Sequence, residues 1–163
     1  MKKLIIFILL LTFSNSMTAG YLYEKCINRL KIQENLRLKL YKCPSGYPTV
    51  GYGHRIKKKL LVKRISKSFA EYLLKKDFNE HIKIVKSKFN NKPAEEVYAL
   101  ALFSFNVGSK RALQIPKNYT KSYLKNKLSK YIYYKCKKTK KYKISQNLIN
   151  ARKFEISLLE PRV

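Results

Sequence analysis

Residues 34–54 read ENLRLKLYKCPSGYPTVGYGH, and the spacing of apolar residues changes inside them. Leu36, Leu38 and Leu40 alternate with Arg37 and Lys39, the period of a half-buried strand. Pro44, Ser45, Gly46 and Pro48 are turn formers. Thr49, Val50, Tyr52, Gly51 and Gly53 then lead to His54. Residues 37–56 are therefore predicted to form a small hairpin sheet.

Outward from this stretch the period becomes helical. Upstream, Ile27, Leu30 and Leu36 space a helix over residues 23–35. Downstream, Ser68 followed by Glu71 reads as a capping box. The helix behind it shows Phe69, Leu73, Phe78, Ile82, Val85 and Phe89. Pro93 fits a first helical position, with Glu95 and Glu96 where the helix dipole favours acids. Residues 97–105 are apolar on nearly every side, which predicts a central buried helix stopped by Gly108. Leu124, Leu128 and Ile132 mark another helix, residues 135–143 a basic loop, and Leu148, Ile149, Ile156 and Leu159 a last helix ended by Pro161. No repeat is visible. The expected fold class is α+β, mostly α, with a small N-terminal sheet lobe and a larger helical lobe.

The chain has 163 residues, 45% of them hydrophobic, which suits one domain with one core. Five Gly and five Pro argue against a linker-rich or disordered chain. Lys and Arg number 37 against 9 acids, a formal +28. Such a charge favours a polyanionic partner; codon bias toward lysine is the plainer source. The basic residues are mostly Lys, spread along the chain and within no recognised module, so specific nucleic-acid binding is not expected.

The N-terminus reads as an export segment. Lys2 and Lys3 precede the apolar run of residues 4–11, and Ser14, Asn15, Ser16, Thr18, Ala19 and Gly20 supply small or polar residues for cleavage. Residues 4–23 also form a stretch of 20 without charge, enough to span a bilayer. Two outcomes follow: residues 1–20 are a cleaved signal peptide, or they belong to an uncleaved anchor that later leaves the membrane. Residues 21–163 form the functional domain in both, acting in the periplasm or outside the cell. Cys26, Cys43 and Cys136 remain, and in an oxidising compartment one disulfide plus one thiol is the simplest arithmetic. No pair has metal-ligand spacing, and His54 and His81 stand isolated in the sequence, so no metal or cofactor is expected.

The spacing in residues 34–54 is Glu34, eight residues, Cys43, five residues, Thr49. With Gly46, Tyr47, Gly51, Tyr52, Gly53 and His54, it resembles the active-site segment of the phage lysozymes, endolysins of glycoside hydrolase family 24. ISKSFAEYLLKKDF (65–78), ALFSFNVG (101–108) and NARKFEISLL (150–159) are similar to later segments of that family. The likeness covers residues 24–160, with no clear match over 109–145. It implies a lysozyme-like fold and hydrolysis of the N-acetylmuramic acid to N-acetylglucosamine bond of peptidoglycan.

Cleaving a glycosidic bond needs an acid to protonate the leaving oxygen, and a Glu at a helix end facing a cleft can hold its proton through desolvation. Glu34 is the candidate, in a chain whose only Asp is Asp77. The alternative is a solvated helix-end acid. Arg37, Lys39 and Lys42 must point away if Glu34 is the acid, since positive charge lowers a carboxyl pKa. The resemblance puts Cys43 in the second carboxylate's slot and gives Thr49 the attacking water. Cys43 as a disulfide half, with Cys26 or Cys136, is the other reading, and pairing would hold the enzyme off. His54 is expected to fix the sheet, Asn106 to sit at the cleft floor, and Arg152 to lie near Glu34 or in solvent. Anionic envelope polymers are the expected further partners, with transient membrane association through residues 4–23. A monomer is expected. A lytic transglycosylase and a non-catalytic cationic envelope-binding or membrane-disrupting protein are the rivals.

Overall fold

A computed structural model describes residues 2–43, 46–56, 63–135 and 141–161, with the side chains of all but 2–17 and Lys135. Its elements are α1 (Lys2–Glu34), β1 (Arg37–Lys42), β2 (Pro48–Gly51), β3 (His54–Arg55), α2 (Lys67–Phe89), α3 (Ala94–Val107), α4 (Ser109–Leu113), α5 (Lys121–Ser129), β4 (Tyr133–Lys135), β5 (Tyr142–Ile144) and α6 (Gln146–Ser157). The mostly helical α+β class is as expected.

The core forms around α3, which packs against α1, α2, α4 and α6. Ala99, Leu100, Ala101, Leu102 and Phe103 are all buried, because a helix apolar on every side can only be covered on every side. α2 buries Ala70, Leu73, Leu74, Phe78, Ile82, Val85 and Phe89, one stripe at spacings of three and four. Each large side chain so buried is worth about 1.5–3 kcal/mol of transfer free energy.

α1 ends at Glu34, and Asn35 takes a left-handed φ of +53° that turns the chain into the sheet. β1, β2 and β3 form a three-stranded antiparallel sheet in the order β1-β2-β3, with Tyr41 opposite Thr49 and Val50 opposite His54; the turn residues Pro44 and Ser45 lie outside the described residues. Gly51, at φ +66°, lies where an added Cβ would stand 3.2 Å from the Ala70 Cβ, so the sheet sits tight on α2 only with glycine there.

Several expectations need correction. Leu36 and Leu40 are exposed, at 36% and 40%; the sheet takes its buried face from β2, through Thr49, Val50 and Gly51. The cap of α2 is Ser66, whose hydroxyl accepts from the Phe69 amide, and not Ser68. Glu71 pairs with Lys31 instead of closing a capping box. Pro93 is the cap of α3, one place before the helix. Ile132 lies beyond the end of α5. The two ends of the expected basic loop 135–143 are strand, since β4 and β5 pair, with Tyr133 opposite Ile144 and Lys135 opposite Tyr142; residues 136–140 lie outside the described residues. Aromatic and β-branched residues in YIYY and YKI favour strands, and the lysines around them hid that preference.

The segment expected to direct export is continuous with the domain's first helix, because α1 runs unbroken from Lys2. The side chains of residues 2–17 lie outside the described ones, and so does most of the candidate anchor. Among the described residues no helix is long and apolar enough to cross a membrane.

Candidate active site

Four parts of the chain converge on a cleft of about 750 Å³: the end of α1, the turn between β2 and β3, and the facing sides of α2 and α3. Glu34, Gly53, His54, Asp77, Glu80 and His81 line it, with Phe105, Asn106 and Val107 from α3. Carboxylates and imidazoles thus face one solvent-filled space.

Glu34 is half-buried at the mouth of this cleft. Desolvation holds its carboxyl above the ordinary 4.5, partly offset by the hydrogen bond from Gln33. The feared lysines and Arg37 do not act on it: Arg37 stacks over the Tyr41 ring at 4.7 Å, and Lys39 and Lys42 are exposed. Gly53, at φ +84°, makes the room, since a Cβ there would stand 3.2 Å from Glu34 Oε2.

Gln33 Nε2 donates to Glu34 Oε1 at 3.1 Å and also to Asn106 Oδ1. Asn106 Nδ2 donates in turn to the Leu102 carbonyl at 2.9 Å and to Glu155 Oε1 at 3.4 Å. Arg152 Nη2 donates to the same Glu155 oxygen at 2.5 Å. The chain Glu34–Gln33–Asn106–Glu155–Arg152 therefore runs from the cleft into the core. Arg152 is 2% exposed and Glu155 1%, so Arg152 is not a solvated helix residue. Its guanidinium lies 4.9 Å from the Phe103 ring centre and donates to the Tyr131 carbonyl at 3.3 Å. It reaches Glu34 only through the chain. Burial pushes the Glu155 carboxyl up to about 7, with Arg152 pulling the other way.

His54 Nδ1 lies 2.8 Å and 3.0 Å from the two oxygens of Asp77, so it ties the sheet to α2. His81 Nδ1 lies 2.7 Å from the Ser104 hydroxyl, and burial holds this imidazole below its ordinary pKa. The two histidines that stand isolated in the sequence share one cleft. Among the described residues no group of three His, Cys, Asp or Glu is placed to hold a metal ion.

Cys43 and Thr49 sit on the hairpin and are not among the residues lining the cleft. Thr49 is 1% exposed and donates its hydroxyl to the Tyr47 carbonyl at 2.9 Å. The Cys43 amide donates to Tyr47 and its carbonyl accepts from Gly46, closing the hairpin turn. Cys26 is a fully buried free thiol pushed up to about 12 by burial, and it does not bridge to Cys43. Cys136, the remaining candidate partner, lies outside the described residues.

The sequence alone missed Gln33, Asp77 as the partner of His54, His81 and Glu155. Asp77 carried a signal as the only Asp of the chain, and Glu155 stands one helical turn after Arg152. Nothing marks Gln33.

No match was found among curated proteins. The fold is similar to solved structures. An endolysin from Escherichia coli O157:H7 phage FAHEc1 has a TM-score of 0.67 and 24% identity over 83% of this chain and 90% of that one. The muramidase domain of SpmX from Asticaccaulis excentricus gives 0.72 and 21%, over 85% and 96%. The active form of P1 phage endolysin Lyz gives 0.61 and 17%, over 81% and 80%. At these identities the likeness bears on the fold. The family follows from the sequence profile of phage lysozyme, which matches residues 31–155 and so takes in Glu34, the cleft and the chain to Glu155. By that match the chain belongs to the phage lysozyme family and is a glycoside hydrolase.

Proposed function

We propose that this peptidoglycan hydrolase cleaves the β-1,4 bond between N-acetylmuramic acid and N-acetylglucosamine, with Glu34 as its general acid. One observation carries the reading: a carboxyl whose pKa burial raises, at a helix end, facing a cleft of about 750 Å³. Its proton passes to the glycosidic oxygen as the bond from the anomeric carbon to that oxygen breaks. Water then bonds to the anomeric carbon and gives up a proton to solvent. Gln33 orients the carboxyl, and Gly53 leaves it the space to reach the leaving oxygen.

Cys43 and Thr49 are assigned to the water on their spacing from Glu34. The Thr49 proton is committed to Tyr47, so its hydroxyl can only accept further. Cys43 serves there best as a thiolate, and a disulfide at Cys43 would silence it. With Cys26 buried as a thiol, such a bond would have to use Cys136. His54 and Asn106 orient, and Arg152 supports from the core. Export through residues 1–20, cleaved or as a releasable anchor, brings residues 21–163 to the wall as a monomer.

The test is clearing of purified peptidoglycan by residues 21–163 and by Glu34→Gln, each with and without reductant, with mass spectra of the products. Clearing by wild type alone, with water added across the bond, supports the reading. A requirement for reductant supports a caged Cys43. Anhydro products would make the enzyme a lytic transglycosylase, and equal clearing by both proteins would replace catalysis with cationic disruption.

A further inference from the structure

A second groove of about 700 Å³ opens where α3, α4 and the β4–β5 hairpin meet. Tyr133, Tyr134, Tyr142 and Leu148 form its apolar wall, and Arg111 and Lys130 supply cationic heads. The aromatic rings are wet: Tyr133 is 52% exposed, Tyr134 47% and Tyr142 71%. Exposed apolar surface gathered in one place marks a binding site more often than a structural need. Strands of three residues make a hairpin of little stability on its own. The pairing of Lys135 with Tyr142 and of Tyr133 with Ile144 puts Tyr133 and Tyr142 on one face of the hairpin, as diagonal neighbours. Arg111 Nη1 donates to the Val107 carbonyl at 3.1 Å, which fixes the guanidinium at the junction with α3.

The groove adjoins the cleft of Glu34. Asn106 and Val107 line both. A polymer lying in the cleft and leaving it past α3 therefore enters the aromatic groove. A pyranose presents an apolar C–H face and a rim of hydroxyls; Tyr offers a flat apolar ring with a hydroxyl at its tip, and Arg and Lys offer donors. We propose that this groove binds the glycan strand beyond the bond being cut, with Tyr133 and Tyr142 stacking on its sugars. The inference rests on the glycan-cleaving reading of the cleft. It makes the β4–β5 hairpin a determinant of chain length: long strands gain binding from it and short fragments do not.

The experiment is titration calorimetry on the Glu34→Gln protein with peptide-free chitin oligosaccharides, a tetramer and an octamer. The octamer is expected to bind about tenfold more tightly, or about 1.4 kcal/mol. Tyr142→Ala and Tyr133→Ala, made singly at exposed positions that the fold tolerates, should remove most of that gain and leave tetramer affinity as it was. Tyr142→Phe, which keeps the ring, should retain it. Equal affinity for the two oligomers, or a gain that survives both alanine variants, overturns the proposal. Displacement of bound octamer by a free stem peptide, lost in Tyr142→Ala, also overturns it and gives the groove to the peptide. The two readings fail separately. A wild type that clears no peptidoglycan sinks the catalytic reading, whereas a clearing enzyme that shows no length dependence sinks only the groove.

Discussion

Burial raises the pKa of the Glu34 carboxyl, and Gln33 works against that by donating to it. Removing the donor should therefore raise the pKa further. In Gln33→Leu the alkaline limb of the pH–rate profile is expected at higher pH than in wild type, with a lower kcat as the tie to Asn106 is lost. A purely structural role for Gln33 would lower the rate without moving the limb. Glu34→Gln should cost about a hundred- to ten-thousandfold, the range of a general acid. At Gly53, a left-handed φ and a contact 3.2 Å from Glu34 Oε2 oppose any side chain. Gly53→Ala should lose about 1–3 kcal/mol in denaturant unfolding and show a reduced kcat on soluble glycan. The spacing of residues 34–54 made this part of the site legible in the sequence, since a helix end, a hairpin and two glycines are all local features. Gln33 was not legible, because its role depends on Asn106, 73 positions away.

At the scale of elements, the start of α2 and the docking of α6 give separate tests. Ser66→Ala should cost about 1 kcal/mol of stability and Ser68→Ala much less, because only the Ser66 hydroxyl takes the Phe69 amide. Two serines two apart made the register of the cap ambiguous in sequence. Which one caps is set by where α2 meets the sheet. α6 carries Arg152 and Glu155, whose ion pair is buried and leaves Arg152 Nε and Glu155 Oε2 without hydrogen-bond partners. The folded carboxyl, at about 7, binds its proton more tightly than the unfolded one near 4.5. This contribution to stability is fully present below pH 4.5 and is lost as pH rises through 7. Arg152→Met should then cost about 3–5 kcal/mol at high pH, where it strands a buried carboxylate, and distinctly less at low pH. Adding Glu155→Leu should recover most of the loss. Chemical denaturation of wild type and the two variants at the two pH extremes measures this, and a loss independent of pH would show that Glu155 does not titrate. The period of α2 and the all-apolar α3 were plain in the sequence. The β4–β5 hairpin was not, because lysines mask a strand whose stabilising contacts lie outside itself.

At the scale of the molecule, +28 spread over 163 residues acts as a field and not as a site. Few of the cations are matched: among the described residues the lysines in ion pairs are Lys31, Lys75 and Lys125, with Glu71, Glu24 and Glu160. The reach of such a surface toward an anionic polymer is set by the Debye length, about 10 Å at 0.1 M salt and 3 Å at 1 M. With Glu34 as the proposed acid, catalysis depends on contacts within the cleft, which salt screens much less. The two should therefore separate. Adsorption to intact peptidoglycan sacculi, measured by co-sedimentation of Glu34→Gln, is expected to fall steeply as salt rises through that range. Turnover of a short uncharged chitin oligosaccharide by wild type should stay nearly level. Clearing of sacculi by wild type should follow the adsorption curve at low enzyme and approach the turnover curve when enzyme is in excess. If turnover on the uncharged oligosaccharide fell in step with adsorption, the charge would be acting on the cleft or on the fold itself, and the surface field would not be the cause.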